Sequence, residues 1–197
     1  FAQSVKDSGA AWIGPSTEAI TTMGDKMAAR KLAIQANAPV VPGTTEPLVN
    51  IKDAKKTADN NGYPLLIKAA AGGGGKGMRI KYSEKELKDA MNRAKSEAEK
   101  AFSDNRIYME KYLEQPHHIE IQVFADNYGN IVSLGERECS LQRRYQKIIE
   151  ETPSPFIDNN LRNELCNTAI NITKSCNYSG AGTIEFLVEI GRASGRE

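Results

Sequence analysis

Strict alternation of apolar and polar side chains marks several short stretches of the chain. Ile119, Ile121 and Val123 interleave with Glu120 and Gln122, and Met78-Arg79-Ile80-Lys81-Tyr82 alternates in the same way. A period of two predicts a half-buried strand at each place. Tyr63-Pro64-Leu65-Leu66-Ile67-Lys68 is a denser apolar run and reads as a more deeply buried strand. Ile107 to Tyr112, Ile131 to Glu138 and Ala181 to Val188 read as further strands, with a turn over Asn127-Tyr128-Gly129-Asn130 between the strand ending near Val123 and the one starting at Ile131. Ala11 to Gly14 predicts a short buried strand ending at Pro15.

Helical signals fill the spaces between. Phe1 to Ser8 reads as the middle of a helix. Ser16 can cap a short helix to Met23, with Gly24 beyond it. Asp25 starts a second helix to about Ala36, with Ala29, Leu32, Ala33 and Ala36 as its apolar stripe. Asn50 begins a helix to about Asn60, with Asp53 at the third helical position and Gly62 past its end. Ser83 with Glu86 matches a capping box for a helix running to about Phe102. Asn160 to Cys176 predicts the last helix.

The order of elements gives an α+β fold, with helices and strands mixed. Pro39 to Pro47 is a proline-rich connection and a plausible domain boundary. The block 41–112 then reads as a compact helix–strand–strand–helix–strand unit, and 113–189 is mainly antiparallel strands. Residues 1–40 form the end of a preceding domain with linker helices, and 190–197 are polar and aperiodic, like an unrelated tail. Phe1 opens without a methionine, which fits a fragment of a longer protein.

Composition excludes more than it selects. Of 197 residues, 40% are hydrophobic and 26% charged, as in a soluble globular protein. A net charge of +1 argues against a general nucleic-acid or membrane partner. Cys139, Cys166 and Cys176 are odd in number and lack C-x-x-C spacing, which points to reduced thiols, a cytoplasmic setting and no zinc site. The adjacent His117 and His118 have no third metal-type ligand near them in the sequence.

Gly72-Gly73-Gly74-Gly75-Lys76-Gly77-Met78 carries the strongest chemical signal. Consecutive glycines can adopt positive φ and aim backbone N–H groups at an anion. A P-loop is excluded, because Gly77 follows Lys76 where Ser or Thr would hold Mg²⁺. The glycines lie between two predicted strands, which suits a hairpin closing over nucleotide phosphates. Lys68, inside an apolar strand, would be satisfied by a phosphate oxygen or could snorkel to water. Glu110-Lys111-Tyr112-Leu113 could read adenine at a hinge or be an ordinary strand. The cationic run Arg137 to Lys147 could be a solvated face or a cluster that neutralises polyphosphate. Glu185 on its strand would suit Mg²⁺ beside phosphates.

Taken jointly and in order, these segments resemble the biotin carboxylase component of biotin-dependent acyl-CoA and pyruvate carboxylases, within the ATP-grasp fold. The residues that carry the resemblance are Ile13-Gly14-Pro15, Met23 to Lys26, Ile67-Lys68-Ala69 with Gly72 to Met78, Met109 to Leu113, His118 to Gln122, Glu136 to Lys147 with Glu150-Glu151, and Gly180 to Phe186. The resemblance implies a glycine-hairpin lid subdomain and a mostly antiparallel sheet subdomain. It implies ATP-binding roles for Lys26, Lys68, Gly72, Gly73, Gly74, Gly75, Lys76, Gly77, Met78, Glu110, Lys111, Leu113, His118 and Gln142. It gives Lys147 a catalytic place at the γ-phosphate and makes Glu185 a ligand of Mg²⁺ (or Mn²⁺). The family often has histidine where Tyr145 stands, so no role passes to that position.

The implied reaction is ATP- and bicarbonate-dependent carboxylation of biotin via carboxyphosphate. The implied partners are a biotin carboxyl carrier protein or domain, a carboxyltransferase, and a second copy in a full-length homodimer. An acetyl-CoA carboxylase of fatty acid biosynthesis is one setting the resemblance suggests. A second Mg²⁺-binding segment and the bicarbonate and biotin residues of the family would follow Val188, so the fragment itself is expected to be inactive. Another ATP-grasp ligase, such as a carbamoyl-phosphate synthetase, and a non-catalytic nucleotide-binding module are the alternatives.

Overall fold

The computed structural model describes residues 1–71 and 77–189. The glycine segment Gly72, Gly73, Gly74, Gly75 and Lys76, with the tail from 190, lies outside the described residues. Three helices open the chain: α1 (Ala2–Asp7), α2 (Thr17–Gly24) and α3 (Lys26–Gln35). Ser16 caps α2 by accepting from Ala19 N at 3.0 Å, and Asp25 caps α3 by accepting from Met27 N and Ala28 N at 2.9 and 3.0 Å. These bonds satisfy amides that a helix start leaves without partners. In α3 the buried residue is Met27, and the expected alanine–leucine stripe is only half-buried.

Helix α4 (Ile51–Asn61) starts at the Asn50 cap and ends at Gly62. Strands β1 (Leu65–Ala69) and β2 (Arg79–Lys81), helix α5 (Leu87–Phe102) and strand β3 (Ile107–Lys111) follow. They form an antiparallel sheet of order β2-β1-β3. Alternation along β1 and β3 sends Leu65, Ile67, Ile107 and Met109 to one face. There they bury against Ala54, Ala58, Leu87, Met91 and Ala94 of α4 and α5. Lys68 and Glu110 have the opposite parity and face away from this core.

Strand β4 (His117–Ala125), β5 (Ile131–Arg143), β6 (Gln146–Glu151), helix α6 (Asn159–Ser175) and β7 (Gly180–Val188) complete the described chain. Their sheet has the order β6-β5-β4-β7, antiparallel throughout. Ile119, Ile121, Val123, Phe186 and Val188 pack against Leu165 and Ala169 of α6. His118, Glu120 and Gln122 therefore line the other face, with their register partners Leu187, Glu185 and Thr183.

Three local expectations are corrected. Ala11 to Gly14 is not a strand: it has no ladder partner among the described residues, and Ile13 is 95% exposed. Trp12 Nε1 instead donates to Pro15 O at 2.8 Å, closing a local turn. The Ser83–Glu86 pair does not form a reciprocal capping box. The Glu86 carboxylate takes both the Tyr82 N–H and the Ser83 hydroxyl at 3.3 Å, and a 3-10 turn over Glu84–Glu86 precedes α5. Strand β5 runs five residues past Glu138, and β6 returns beside it. Five of the six β6 residues are exposed, so no buried alternation announced it.

Candidate functional site

One charged cluster lines a cleft of about 520 Å³, a size that small-ligand sites commonly have, and a second reaches it through Glu185. Lys26 and Arg30 of α3, Lys68 of β1, Glu110 of β3 and Glu185 of β7 line it, with Val41 from the proline-rich connection.

The first cluster is built on the polar face of the three-stranded sheet. Register places Lys68 opposite Tyr108 and Glu110 opposite Leu66, so the two charges are diagonal neighbours. Lys68 Nζ donates to Glu110 Oε1, and Arg30 Nη1 stands 3.8 Å from Glu110 Oε2. Glu110 is only 6% exposed, so this carboxylate depends on its cations. Lys26 Nζ donates to Ala69 O at 3.4 Å. Burial holds the Lys26 ammonium below the usual lysine range; the charge of Lys68 adds to this and Glu110 opposes it. Two ammonium groups and a guanidinium against one carboxylate leave the cleft wall cationic.

The second cluster lies on the open face of the four-stranded sheet. Lys147 Nζ donates to Glu120 Oε2 and pairs with Glu185 Oε1 at 2.6 Å. Arg137 reaches Glu120 Oε1 at 2.5 Å and Glu150 Oε2 at 3.4 Å. Burial opposes the charge on Lys147, but Glu120 and Glu185 outweigh it and hold the ammonium above its ordinary range. Burial likewise disfavours the Glu120 carboxylate, and Lys147 and Arg137 hold it below the usual carboxylate range. Glu185 itself has a side chain 61% exposed, with one oxygen engaged by Lys147.

The other sequence-derived residues fall around these clusters. His118 is half-buried beside them. Burial lowers its imidazole, against the charge of Glu185. Gln142 is the cross-strand partner of Lys147 and donates to Cys139 O at 2.9 Å. Lys111 gives its N–H to Pro42 O at 2.7 Å and its ammonium to Tyr63 O at 2.6 Å, so neither donor points to the cleft. Leu113 is half-buried in the connection after β3, and Met78 half-buried just before β2. Gly77 is buried at φ +72°, with Ala69 Cβ 3.1 Å from where its own Cβ would stand. His117 turns elsewhere: it stacks on Phe156 with centroids 3.5 Å apart and sits 3.3 Å from Glu138.

Three participants were not singled out from the sequence. Arg30 is four residues after Lys26, a helical spacing that puts both on one face. Glu120 is a carboxylate inside an apolar alternation, and Arg137 stood within the cationic run without a partner assigned. Their pairings join residues far apart in the chain, and no local pattern announces them.

A metal can be tested against this donor set. Glu120, Cys139 and Glu150 bring ligand atoms within 4.8 Å of one another. Arg137 and Lys147 already neutralise Glu120, and burial pushes the Cys139 thiol up to about 11, so this trio fits an ion-pair network better than a metal. Glu185, a solvent-facing carboxylate at the cleft, fits Mg²⁺, which takes one or two protein carboxylates beside phosphate oxygens.

Comparison with known proteins adds an independent line. The family model described as carbamoyl-phosphate synthase L chain, ATP binding domain, matches residues 25–194. Pyruvate carboxylase of Staphylococcus aureus is 50% identical over 188 residues, 95% of this chain and 16% of that protein. Mitochondrial pyruvate carboxylase of Homo sapiens is 46% identical over 96% of this chain and 16% of its own length. A biotin carboxylase–β,γ-ATP complex from Campylobacter jejuni superposes with a TM-score of 0.92 at 47% identity, covering 95% of this chain and 42% of that one. The biotin carboxylase domain dimer of Hydrogenobacter thermophilus 2-oxoglutarate carboxylase, in complex with MgADP, ADP and bicarbonate, gives 0.92 at 39% identity, with coverage of 100% and 45%. The chain thus spans about a sixth of the curated relatives it matches and under half of these solved chains.

Proposed function

The chain belongs to the ATP-binding domain family of the carbamoyl-phosphate synthase large chain, and on that premise we propose that it carries the nucleotide-binding part of a biotin carboxylase with the ATP-grasp fold. The observation that carries this reading is the convergence of Lys26, Lys68 and Glu185, from both sheets and α3, on one cleft. Its cationic wall suits the phosphates of ATP, and its exposed carboxylate suits their Mg²⁺.

In this reading Lys26 and Lys68 hold phosphate oxygens. Glu110 and the chain from Lys111 to Leu113 border the adenine, the Lys111 contact coming from its carbonyl because its N–H is committed to Pro42. His118 and Gln142 border the ribose. Lys147, aimed by Glu120 and Glu185, faces the γ-phosphate. Mg²⁺ held by Glu185 would neutralise charge on the phosphates. Bicarbonate then attacks the γ-phosphorus and ADP leaves; the carboxyphosphate formed breaks into CO₂ and phosphate, and the CO₂ bonds to a ureido nitrogen of carrier-held biotin, whose proton passes to the phosphate. Such phosphoryl transfer rests on positioning and charge stabilisation, which this cluster of cations supplies.

Three of the four relatives named above are carboxylases of pyruvate or 2-oxoglutarate, which supports a keto acid as final acceptor over the acetyl-CoA of fatty acid synthesis. A carboxyltransferase, a carrier, a dimeric full-length form and a reducing cytoplasmic setting belong to the same proposal. Calorimetric titration tests it directly. The chain is expected to bind MgATP, and Lys68→Met to weaken that binding by about tenfold or more, since a hydrogen bond to a charged group contributes about 1.5–3 kcal/mol. Unchanged affinity in the variant would remove the assignment. Matching 42% of the Campylobacter chain, these residues alone are expected to bind without turnover. ATPase activity stimulated by free biotin would contradict that.

A further inference from the structure

One buried cation at the cleft has no part in the reading above. Arg30 rises from α3 one turn after Lys26, with a side chain 10% exposed. Its Nη2 donates to Val41 O, its Nη1 stands 3.8 Å from Glu110 Oε2, and its Nε is buried without a hydrogen-bond partner among the described residues. A guanidinium taken out of water with one donor unmet is a net burden to folding unless its other contacts matter. Those contacts join three separate parts of the chain: α3, the proline-rich connection and β3. Glu110 is correspondingly held from two sides, by Arg30 on one oxygen and Lys68 on the other. Without Arg30 the full charge of Glu110 would fall on Lys68 and draw its ammonium back from an anion in the cleft. With Arg30 present, Glu110 is fixed in place and its charge is shared.

We propose that Arg30 is a positioning residue of the nucleotide site: by bridging Val41 and Glu110 it fixes the carboxylate that aims Lys68 into the cleft. The proposal rests on the nucleotide reading of that cleft. It differs from a general role of positive charge in one respect, namely that Arg30 acts through Glu110.

A double-mutant cycle read by MgADP binding separates the two. Arg30→Met and Glu110→Gln are each expected to weaken binding by about tenfold, and the double variant to bind no more weakly than Glu110→Gln alone. Multiplied effects in the double variant would overturn the proposal, because Arg30 would then act on the nucleotide directly. A merely structural role would lower the urea midpoint and weaken binding equally in both backgrounds. Should Arg30→Met not fold, Arg30→Lys serves instead, since a point charge cannot bridge both acceptors as the planar fork does. A second readout needs no nucleotide. In ¹³C-methylated protein the Lys68 resonance, assigned by its loss in Lys68→Arg, is expected to move in Arg30→Met. It is expected to stay still when Arg30→Met is added to Glu110→Gln. A resonance unmoved by Arg30→Met overturns the proposal. If it moves as expected while the wild-type chain takes up no MgADP, the linkage stands and the nucleotide reading falls.

Discussion

A carboxylate whose side chain is 5% exposed survives at position 120 because Lys147 and Arg137 both reach it. Removing the carboxylate strands two partly exposed cations beside each other, so Glu120→Gln is expected to destabilise the chain by about 1–3 kcal/mol in urea unfolding. A loss under half of that would mean the cations relax freely into water. The same chemistry sets the acid limb of stability. Burial raises the carboxyls of Glu120, Glu136 and Glu138, yet their partners prevail: the two cations at Glu120, Arg162 at Glu136, Ser140 and Ser154 at Glu138. All three lie below the ordinary carboxylate range. The unfolded chain binds those protons first, so this stability is present above about pH 4.3 and lost as pH falls through the folded values. His118 acts in a separate window. Its folded value is lowered by burial, so its contribution is lost as pH falls below about 6.5. Urea midpoints of wild type and His118→Gln measured from pH 7 to 5.5 check this. The variant is expected to show the flatter profile.

At the scale of elements, the connection 39–47 is docked as though it were another edge of the sheet. Thr44 N donates to Met109 O and Leu48 N to Ile107 O, both at 2.8 Å, and Gly43 bridges Glu110. A Cβ on Gly43 would stand 2.5 Å from Met109 O and 2.7 Å from Glu110 Cα, backbone atoms that cannot swing aside. Gly43→Ala is therefore expected to lose about 1–3 kcal/mol and to speed hydrogen exchange at Thr44 and Lys111 selectively. Unchanged exchange there would mean the connection does not hold β3. The β5–β6 hairpin offers the opposite case. Arg144 and Tyr145 both sit at positive φ, 52° and 63°, where Asn-Gly is the favoured pair. That replacement relieves left-handed backbone strain of roughly 1–2 kcal/mol per residue, which exceeds the entropic cost of one added glycine, so the urea midpoint is expected to rise. The elements legible in the sequence were those whose own residues carry the signal: alternation in β4, and caps at Ser16, Asp25 and Asn50. The β6 strand was not legible because it is defined by a partner strand rather than by a buried face. The site was legible to the same extent. Lys68 and Glu185 were visible as charged residues on predicted strands, and Lys26 only through the family resemblance. The Arg30–Glu110 and Lys147–Glu120 pairings exist only once distant segments meet.

At the scale of the molecule, the cleft takes Lys26 from α3, Lys68 and Glu110 from the three-stranded sheet and Glu185 from the four-stranded one. The two sheets have separate apolar cores, each under its own helices. A ligand that spans the cleft therefore joins two cores that otherwise share few apolar residues, and its binding energy belongs to both. MgADP at about a hundred times its dissociation constant would add about 2.7 kcal/mol. For a chain of this size that corresponds to a rise of about 5–10 °C in the unfolding midpoint. Lys68→Met and Glu185→Gln act on opposite walls, yet each is expected to remove about half of that rise or more, since a tenfold weaker site at the same ligand concentration adds only about 1.4 kcal/mol. The decisive reading is hydrogen exchange with and without MgADP. Protection should increase together in β1 and in β7, because opening either wall releases the ligand. An increase confined to β1 would show that the phosphates rest on Lys26 and Lys68 alone, and the proposal that Glu185 holds a metal would fall.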